Sequence, residues 1–210
     1  MLGAVVPDVR AQQSLTRYAE LLSTAGVERG LIGPREVPRL WDRHLLNCAV
    51  AVPLVPEGAS VIDVGSGAGL PGIVWGIVRP DIVVTCLEPL QRRATFLEEV
   101  VAELELIGRV QVVRARAEDI VRGRGPVTSL RARIVTARAV APLERLAGWT
   151  VPLVQPGGEL LALKGRSAGD EVEASRNVLE RLGIVSVEIV ECGEGVVDPL
   201  TTVVRAAKAS

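Results

Sequence analysis

The chain has 210 residues, 48% of them hydrophobic, enough to bury a full core without help from metal or disulfides. Its net charge of −1 points to no polyanionic partner, and aromatic residues at 2% are too few for a base-stacking platform. No apolar run approaches the ~20 residues that span a bilayer, and cysteines at 48, 86 and 192 form no metal spacing.

Met1 to Val9 lacks the basic start and long apolar core of a signal peptide. With an odd number of cysteines, this leads us to expect reduced thiols in a cytoplasm; a monomer without membrane contact is expected as well. Residues 9–25 and 35–52 are expected to be helical, forming a small cap over residues 1–57 ahead of a core at 58–210. Loose stretches are expected at Gly26–Gly33, Arg122–Leu130 and Cys192–Pro199.

The core opens on Val61-Ile62-Asp63-Val64, a buried-strand pattern that runs into Gly65-Ser66-Gly67-Ala68-Gly69-Leu70-Pro71-Gly72. Glycine tolerates φ > 0 and lets a ligand lie on the backbone, and Pro71 suits the first turn of a helix. Two cofactors fit such a strand–loop–helix. A dinucleotide fingerprint matches at Gly67, Gly69 and Gly72, but it should begin where the strand ends. The pattern acidic-x-G-x-G-x-G places Asp63 and Gly65 at the strand end with Gly67 and Gly69 in the turn. That is the first motif of S-adenosylmethionine (SAM) methyltransferases.

Asp81 to Leu87 reads as a second strand. Glu88 ends it, 19 residues after Gly69, where a carboxylate can accept hydrogen bonds from ribose hydroxyls. A helix follows, with Leu90, Ala94, Leu97, Val101 and Leu104 on one face. Val110 to Arg114 forms a third strand leading into Ala117, Glu118 and Asp119. That turn suits an adenine, and its carboxylates equally suit a helix start. Ala132 to Ala137 is a fourth strand ending at Arg138, Pro142 opens a further helix, and Gly157 to Gly165 is a fifth strand after a Pro-Gly-Gly turn. Val185–Cys192 and Thr201–Arg205 make a closing pair. The alternation predicts an α/β fold: a Rossmann-like, mostly parallel seven-stranded sheet with an antiparallel closing strand.

From Arg109 to Arg145 nine arginines face three carboxylates, a local excess of +6. Strand ends in this stretch are expected on the side of the Gly65–Gly72 loop, making Arg114, Arg116 and Arg138 candidate phosphate contacts. No Ser-His-Asp, Cys-His or paired-carboxylate constellation is present, and there is one histidine.

Four segments occur in order: Arg43-His44-Leu45-Leu46-Asn47-Cys48, the loop ending Leu70-Pro71-Gly72, Ala137-Arg138-Ala139, and Leu163-Lys164-Gly165. Together they resemble the bacterial 16S ribosomal RNA guanine-N7 methyltransferase family (RsmG, also called GidB), over about residues 12–206. The resemblance implies transfer of a SAM methyl to N7 of one guanine in the decoding-region loop of 16S rRNA, in the 30S subunit or an assembly intermediate. Loss of the activity is associated in that family with low-level streptomycin resistance. Cofactor contacts are implied for Gly65, Leu70, Ala117, Glu118 and Arg138, joining Gly67, Gly69 and Glu88. Contacts to RNA or the target base are implied for Arg43, His44 and Lys164, with His44, Arg138 and Lys164 positioning the base and no residue assigned as a general base. Two segments depart from the family pattern: Gly26 to Pro38 lacks an Asn-Leu-Thr stretch, and Gly193 to Leu200 replaces a basic, proline-rich end.

Three rivals stand beside this reading. A small-molecule SAM methyltransferase shares the loop but has no need of the arginine excess. An NAD(P)-dependent oxidoreductase shares the glycines and Glu88 but wants a proton donor after the nucleotide half, whereas Tyr18 and His44 precede it. A non-catalytic RNA-binding module needs no SAM pocket.

Overall fold

The computed structural model describes residues 2–125, 127 and 130–210. Of the loose stretch expected at 122–130, Pro126, Thr128 and Ser129 lie outside the described residues, as does Met1. Strands β1 (Ser60–Val64), β2 (Val83–Leu87), β3 (Val110–Val113), β4 (Ala132–Arg138), β5 (Val154–Lys164), β6 (Ile184–Cys192) and β7 (Thr201–Lys208) form one sheet in the order β3-β2-β1-β4-β5-β7-β6. β7 runs antiparallel to the other six. The expected topology is met.

The centre of the sheet follows from the sequence of β1. Val61 packs into the core on one side while Ile62 and Val64 pack into the core on the other. A strand that is apolar on both faces has to be covered on both faces. Helices α1 (Leu2–Val5), α2 (Val9–Leu21) and α3 (Leu46–Ala49) precede the sheet. With α4 (Gly72–Val78) and α5 (Gln91–Glu103) they cover the Val61 face. Helices α6 (Ala117–Val121), α7 (Leu143–Thr150) and α8 (Ala168–Arg181) cover the Ile62 face. The chain builds β1-β2-β3 outward in one direction, then restarts at β4 on the other flank of β1. Ligands bind beyond the carboxyl ends of the strands at such a switch point.

Local chemistry sets the element bounds. Asp8 caps α2, its Oδ1 accepting from the N–H groups of Arg10 at 2.7 Å and Ala11 at 3.0 Å. On α5, Ala94, Leu97 and Val101 are buried as the period predicts, as is Leu104 just past its end, but Leu90 precedes the helix and is exposed.

The cap is less regular than a single helix over 35–52. The backbone makes a tight 3-10 segment (Pro34–Arg39), then a wide π-type segment (Leu40–Leu45), then α3. Pro38 lies inside the first segment and has no N–H to give to an α-helical ladder. The Pro-Gly-Gly turn is also displaced: Pro156, Gly157 and Gly158 lie within β5, opposite a register shift between Ala132 and Ile134. A Cβ at Gly158 would stand 2.5 Å from the Arg133 carbonyl oxygen, so only glycine lets β4 approach there.

Among the described residues, no helix is long and apolar enough to cross a membrane, and no cluster of three metal-ligating side chains occurs.

Candidate active site

The loop after β1 is built around two buried carboxylates. Asp63 is fully buried, and its Oδ2 accepts from the Gly72 N–H at 3.0 Å, satisfying an orphan donor at the start of α4. Burial pushes its carboxyl up to about 7, against the pull of that bond. A Cβ on Gly72 would lie 2.7 Å from Asp63 Oδ2, so this contact requires glycine. Gly69, at φ +98°, is enclosed by Ile73, Leu97 and the Tyr18 hydroxyl. It therefore serves packing, not the open cavity. Gly67, at φ +59°, has free space where a Cβ would stand.

Glu88 is buried at the end of β2, and both its oxygens are engaged. Oε2 accepts from Gly67 N–H and Oε1 from Leu90 N–H, each at 2.9 Å. The expected ribose acceptor thus also has a structural task. It holds the loop against the start of α5, and its oxygens keep further lone pairs for a ligand.

Gly65, Gly67, Leu70 and Glu88 line a cavity of about 390 Å³, with Leu31 and Ile32 from the cap, Leu90, Arg93 and Arg138. That size lies within the range of small-molecule sites. The buried Nε of Arg93 has no hydrogen-bond partner among the described residues. A carboxylate, two arginines and open backbone at Gly67 fit a ligand with an amino-carboxylate and ribose hydroxyls. Arg93 was missed at the sequence level, although on a helical wheel it falls beside Leu104 at the edge of the apolar face of α5, a position that could have marked it.

Ala117 and Glu118, assigned to the adenine, sit at the start of α6 and do not line this cavity. Ala117 packs into the core under α6, and Glu118 with Asp119 occupies the first turn, where the helix dipole favours acids.

Arg138 ends β4 and faces two cavities. On one side is the loop cavity; on the other is an open cleft of about 1360 Å³ whose walls include Arg39, Arg43, Lys164, Arg166 and Thr201. Its Nη2 donates to the Arg43 carbonyl oxygen at 3.0 Å and stands 2.8 Å from His44 Nδ1. Nη1 donates to Cys48 Sγ at 3.3 Å. His44 Nε2 lies 2.9 Å from Glu36 Oε2. Burial, then the Arg138 charge, hold His44 below its ordinary pKa. The next residue, Ala139, adopts φ +54°, a left-handed conformation rare outside glycine, at the rim shared by both cavities.

Lys164 is tied down rather than free. Its Nζ donates to the Ala141 carbonyl oxygen at 2.7 Å and to Glu171 Oε2 at 2.8 Å. Glu171 also accepts from Leu143 N–H at 2.8 Å, so the pair clamps the segment between Arg138 and α7.

The arginine stretch does not form one face, which corrects the expectation. Arg133 lies at the amino end of the sheet, where its N–H bonds Ser60 Oγ, and Arg109 and Arg131 precede β3 and β4. Arg122 and Arg124 lie beyond α6, in neither cavity. Arg114, Arg116 and Arg138 do stand at the carboxyl ends. The cleft's other cations, Arg39 and Arg166, come from segments outside the stretch.

A sheet of this order, with a glycine loop after β1 and an acid after β2, defines the class of SAM-dependent methyltransferases. Solved structures agree on the fold. A SAM-dependent O-methyltransferase from Thermotoga maritima superposes with TM-score 0.58 at 18% identity, over 83% of this chain and 70% of that one. Fibrillarin from Aeropyrum pernix, solved with bound S-adenosyl-L-methionine, gives 0.55 at 18% identity over 79% and 76%.

Sequence narrows the class. Residues 11–200 match the GidB family, rRNA small subunit methyltransferase G. The ribosomal RNA small subunit methyltransferase G of Salinispora tropica is 58% identical over 191 residues, covering 91% of this chain and 79% of that protein. Its counterpart in Streptomyces coelicolor is 60% identical over 189 residues, covering 90% and 77%. The chain belongs to the rRNA small subunit methyltransferase G family, and its cofactor is SAM.

Proposed function

We propose that this protein methylates N7 of a single guanine in the decoding-region loop of 16S rRNA, acting in the cytoplasm as a monomer on the 30S subunit or an assembly intermediate. The observation that carries the reading is Arg138, whose guanidinium stands between the loop cavity and the open cleft. A methyl donor in the first and a base in the second would meet at that side chain.

In this reading Gly65, Gly67 and Leu70 offer backbone and apolar surface to the cofactor, Glu88 receives the ribose hydroxyls, and Arg93 and Arg138 face its carboxylate. SAM supplies a sulfonium methyl open to in-line attack. Guanine N7 is an unprotonated acceptor on the major-groove edge, so the protein has no proton to remove. The burden falls on proximity and orientation, which suits a site without a paired acid and base. His44 and Lys164 act on RNA indirectly here, one through Arg138 and the other through the segment after it. Direct phosphate contacts fall to Arg39, Arg43 and Arg166 in the cleft, with Arg114 and Arg116 away from it, after β3 at the other edge of the sheet.

The test is methyl transfer from tritiated SAM to 30S subunits and to naked 16S rRNA, both from a strain lacking the family enzyme. RNA-dependent incorporation is expected, with a preference that identifies the substrate state. SAM binding without incorporation into 30S subunits, naked 16S rRNA or assembly intermediates from that strain would refute the assignment in favour of a small-molecule methyltransferase.

A further inference from the structure

Glu36 has no place in the cofactor motif and lies outside the sheet, on the 3-10 segment Pro34–Arg39. It nonetheless reaches the centre of the site in two steps. A guanidinium can only donate, so the 2.8 Å contact between Arg138 Nη2 and His44 Nδ1 requires a lone pair on Nδ1. The ring proton then sits on Nε2, which faces Glu36 Oε2 at 2.9 Å. The opposite tautomer would aim an N–H at the arginine and leave a nitrogen lone pair against the carboxylate. Both contacts would become repulsive.

We infer that Glu36 is a positioning residue for methyl transfer: by accepting from His44 Nε2–H it holds the ring whose Nδ1 accepts from Arg138, and so orients Arg138 across the boundary of the two cavities. The inference rests on the proposed role of Arg138. The geometry around the arginine leaves little else to orient it. Its other side-chain hydrogen bonds among the described residues go to the Arg43 carbonyl oxygen and the weakly accepting sulfur of Cys48. All three acceptors come from the π-type segment Leu40–Leu45 and α3, so the cap sets the position of a side chain that β4 presents. Glu36 also lies 3.4 Å from Arg43 Nη1, but that pair is solvent-exposed and contributes little.

Two measurements test this, and the first is independent of activity. The chain has one histidine, so its ring 15N resonances are unambiguous. Near neutral pH the wild-type protein should show the Nε2–H form. Glu36→Ala should keep that tautomer, set by Arg138, but lose the Nε2–H hydrogen bond, moving the Nε2–H proton upfield and speeding its exchange with water, whereas Glu36→Gln, which still offers an acceptor oxygen, should keep both; an Nε2–H signal unchanged in Glu36→Ala would overturn the inference. A wild-type ring in the Nδ1–H form would overturn the inference whether or not the RNA substrate is correct.

The second measurement is a double-mutant cycle on methyl transfer to 30S subunits. Glu36→Ala should lower kcat by about tenfold, with the KM for SAM little changed, and Glu36→Gln should recover most of the loss. In a His44→Ala background, Glu36→Ala should add nothing further. Multiplicative losses in the double variant, or a Glu36→Gln variant as slow as Glu36→Ala, would show that Glu36 acts by another route and overturn the inference. Absence of transfer by the wild-type protein would refute the proposed substrate and leave the histidine-ring measurement decisive for Glu36.

Discussion

Asp63 and Glu88 are both buried carboxylates beside the same loop, yet their environments give them different consequences. Asp63 is the less well paired: Oδ2 takes the Gly72 N–H, while Oδ1 has no partner among the described residues. Its folded pKa of about 7 lies above the unfolded value near 3.8. Below the lower value both states hold the proton, and its contribution to stability is full. As pH rises toward 7 the unfolded chain ionises first, so that contribution is lost. Asp63→Asn keeps an acceptor for Gly72 and removes the ionisation. The stability of the wild type relative to this variant should therefore fall by roughly 3–4 kcal/mol between pH 4 and pH 8. Urea unfolding across that range would show it, and parallel pH profiles for the two proteins would contradict it. Glu88 instead holds two backbone donors, so Glu88→Ala should cost stability as well as affinity. We expect a loss of about 1.5–3 kcal/mol in SAM binding, the range for hydrogen bonds to a charged group, together with a lower Tm without ligand. Unchanged calorimetric affinity would remove Glu88 from the cofactor site. Spacing in the sequence located both carboxylates. It gave no sign of what each would bond, because Leu90 N–H and Gly67 N–H become neighbours only when the loop is folded.

At the scale of elements, the cofactor loop is held from outside as much as from within. Tyr18 on α2 is fully buried, and its hydroxyl donates to the Ala68 carbonyl oxygen at 2.5 Å. The cap thereby fixes the middle of the glycine loop. Tyr18→Phe leaves that carbonyl unpaired, and should lower stability by about 1–2 kcal/mol and weaken SAM binding. Denaturation and calorimetry would check the two effects, and a variant unchanged in both would make the tyrosine an ordinary core residue. The regular elements were legible in the chain because their apolar periods match their burial, as on β1 and α5. The irregular ones were not. Residues 35–52 carry a helical pattern, yet Pro34 and Pro38 force a tight segment that gives way to a wide one at Leu40–Leu45. That widening places Arg43 and His44 against Arg138, a contact that no local pattern encodes. Wide turns of this kind recur at functional sites.

Over the whole molecule, the sheet order brings the end of β4 beside the loop after β1, and Arg138 is the residue delivered there. Its planar guanidinium makes contacts that an ammonium cannot copy. Arg138→Lys should slow methyl transfer by roughly 10²-fold, the scale of losing one oriented donor at a reacting centre. Arg122→Lys and Arg124→Lys, beyond α6 and outside both cavities, should change the rate by less than about twofold. Comparable losses from all three in a single-turnover assay would contradict the separation of roles. An excess of arginine is visible in any sequence count, but its division between two ends of a sheet is not. Arg133 and Arg138 are five residues apart along one strand and face opposite rims.

The proposed function joins the two cavities in one reaction on one atom. The most direct measurement is the position and chemistry of the transferred methyl. 30S subunits from a strain lacking the family enzyme are incubated with the protein and SAM, and their 16S rRNA is reduced with borohydride and cleaved with aniline, which breaks the chain at 7-methylguanosine. Primer extension then reads the site. A single new stop at one guanine in the decoding-region loop is the result predicted here. Incorporated methyl without aniline cleavage, or cleavage scattered over many guanines, would contradict it.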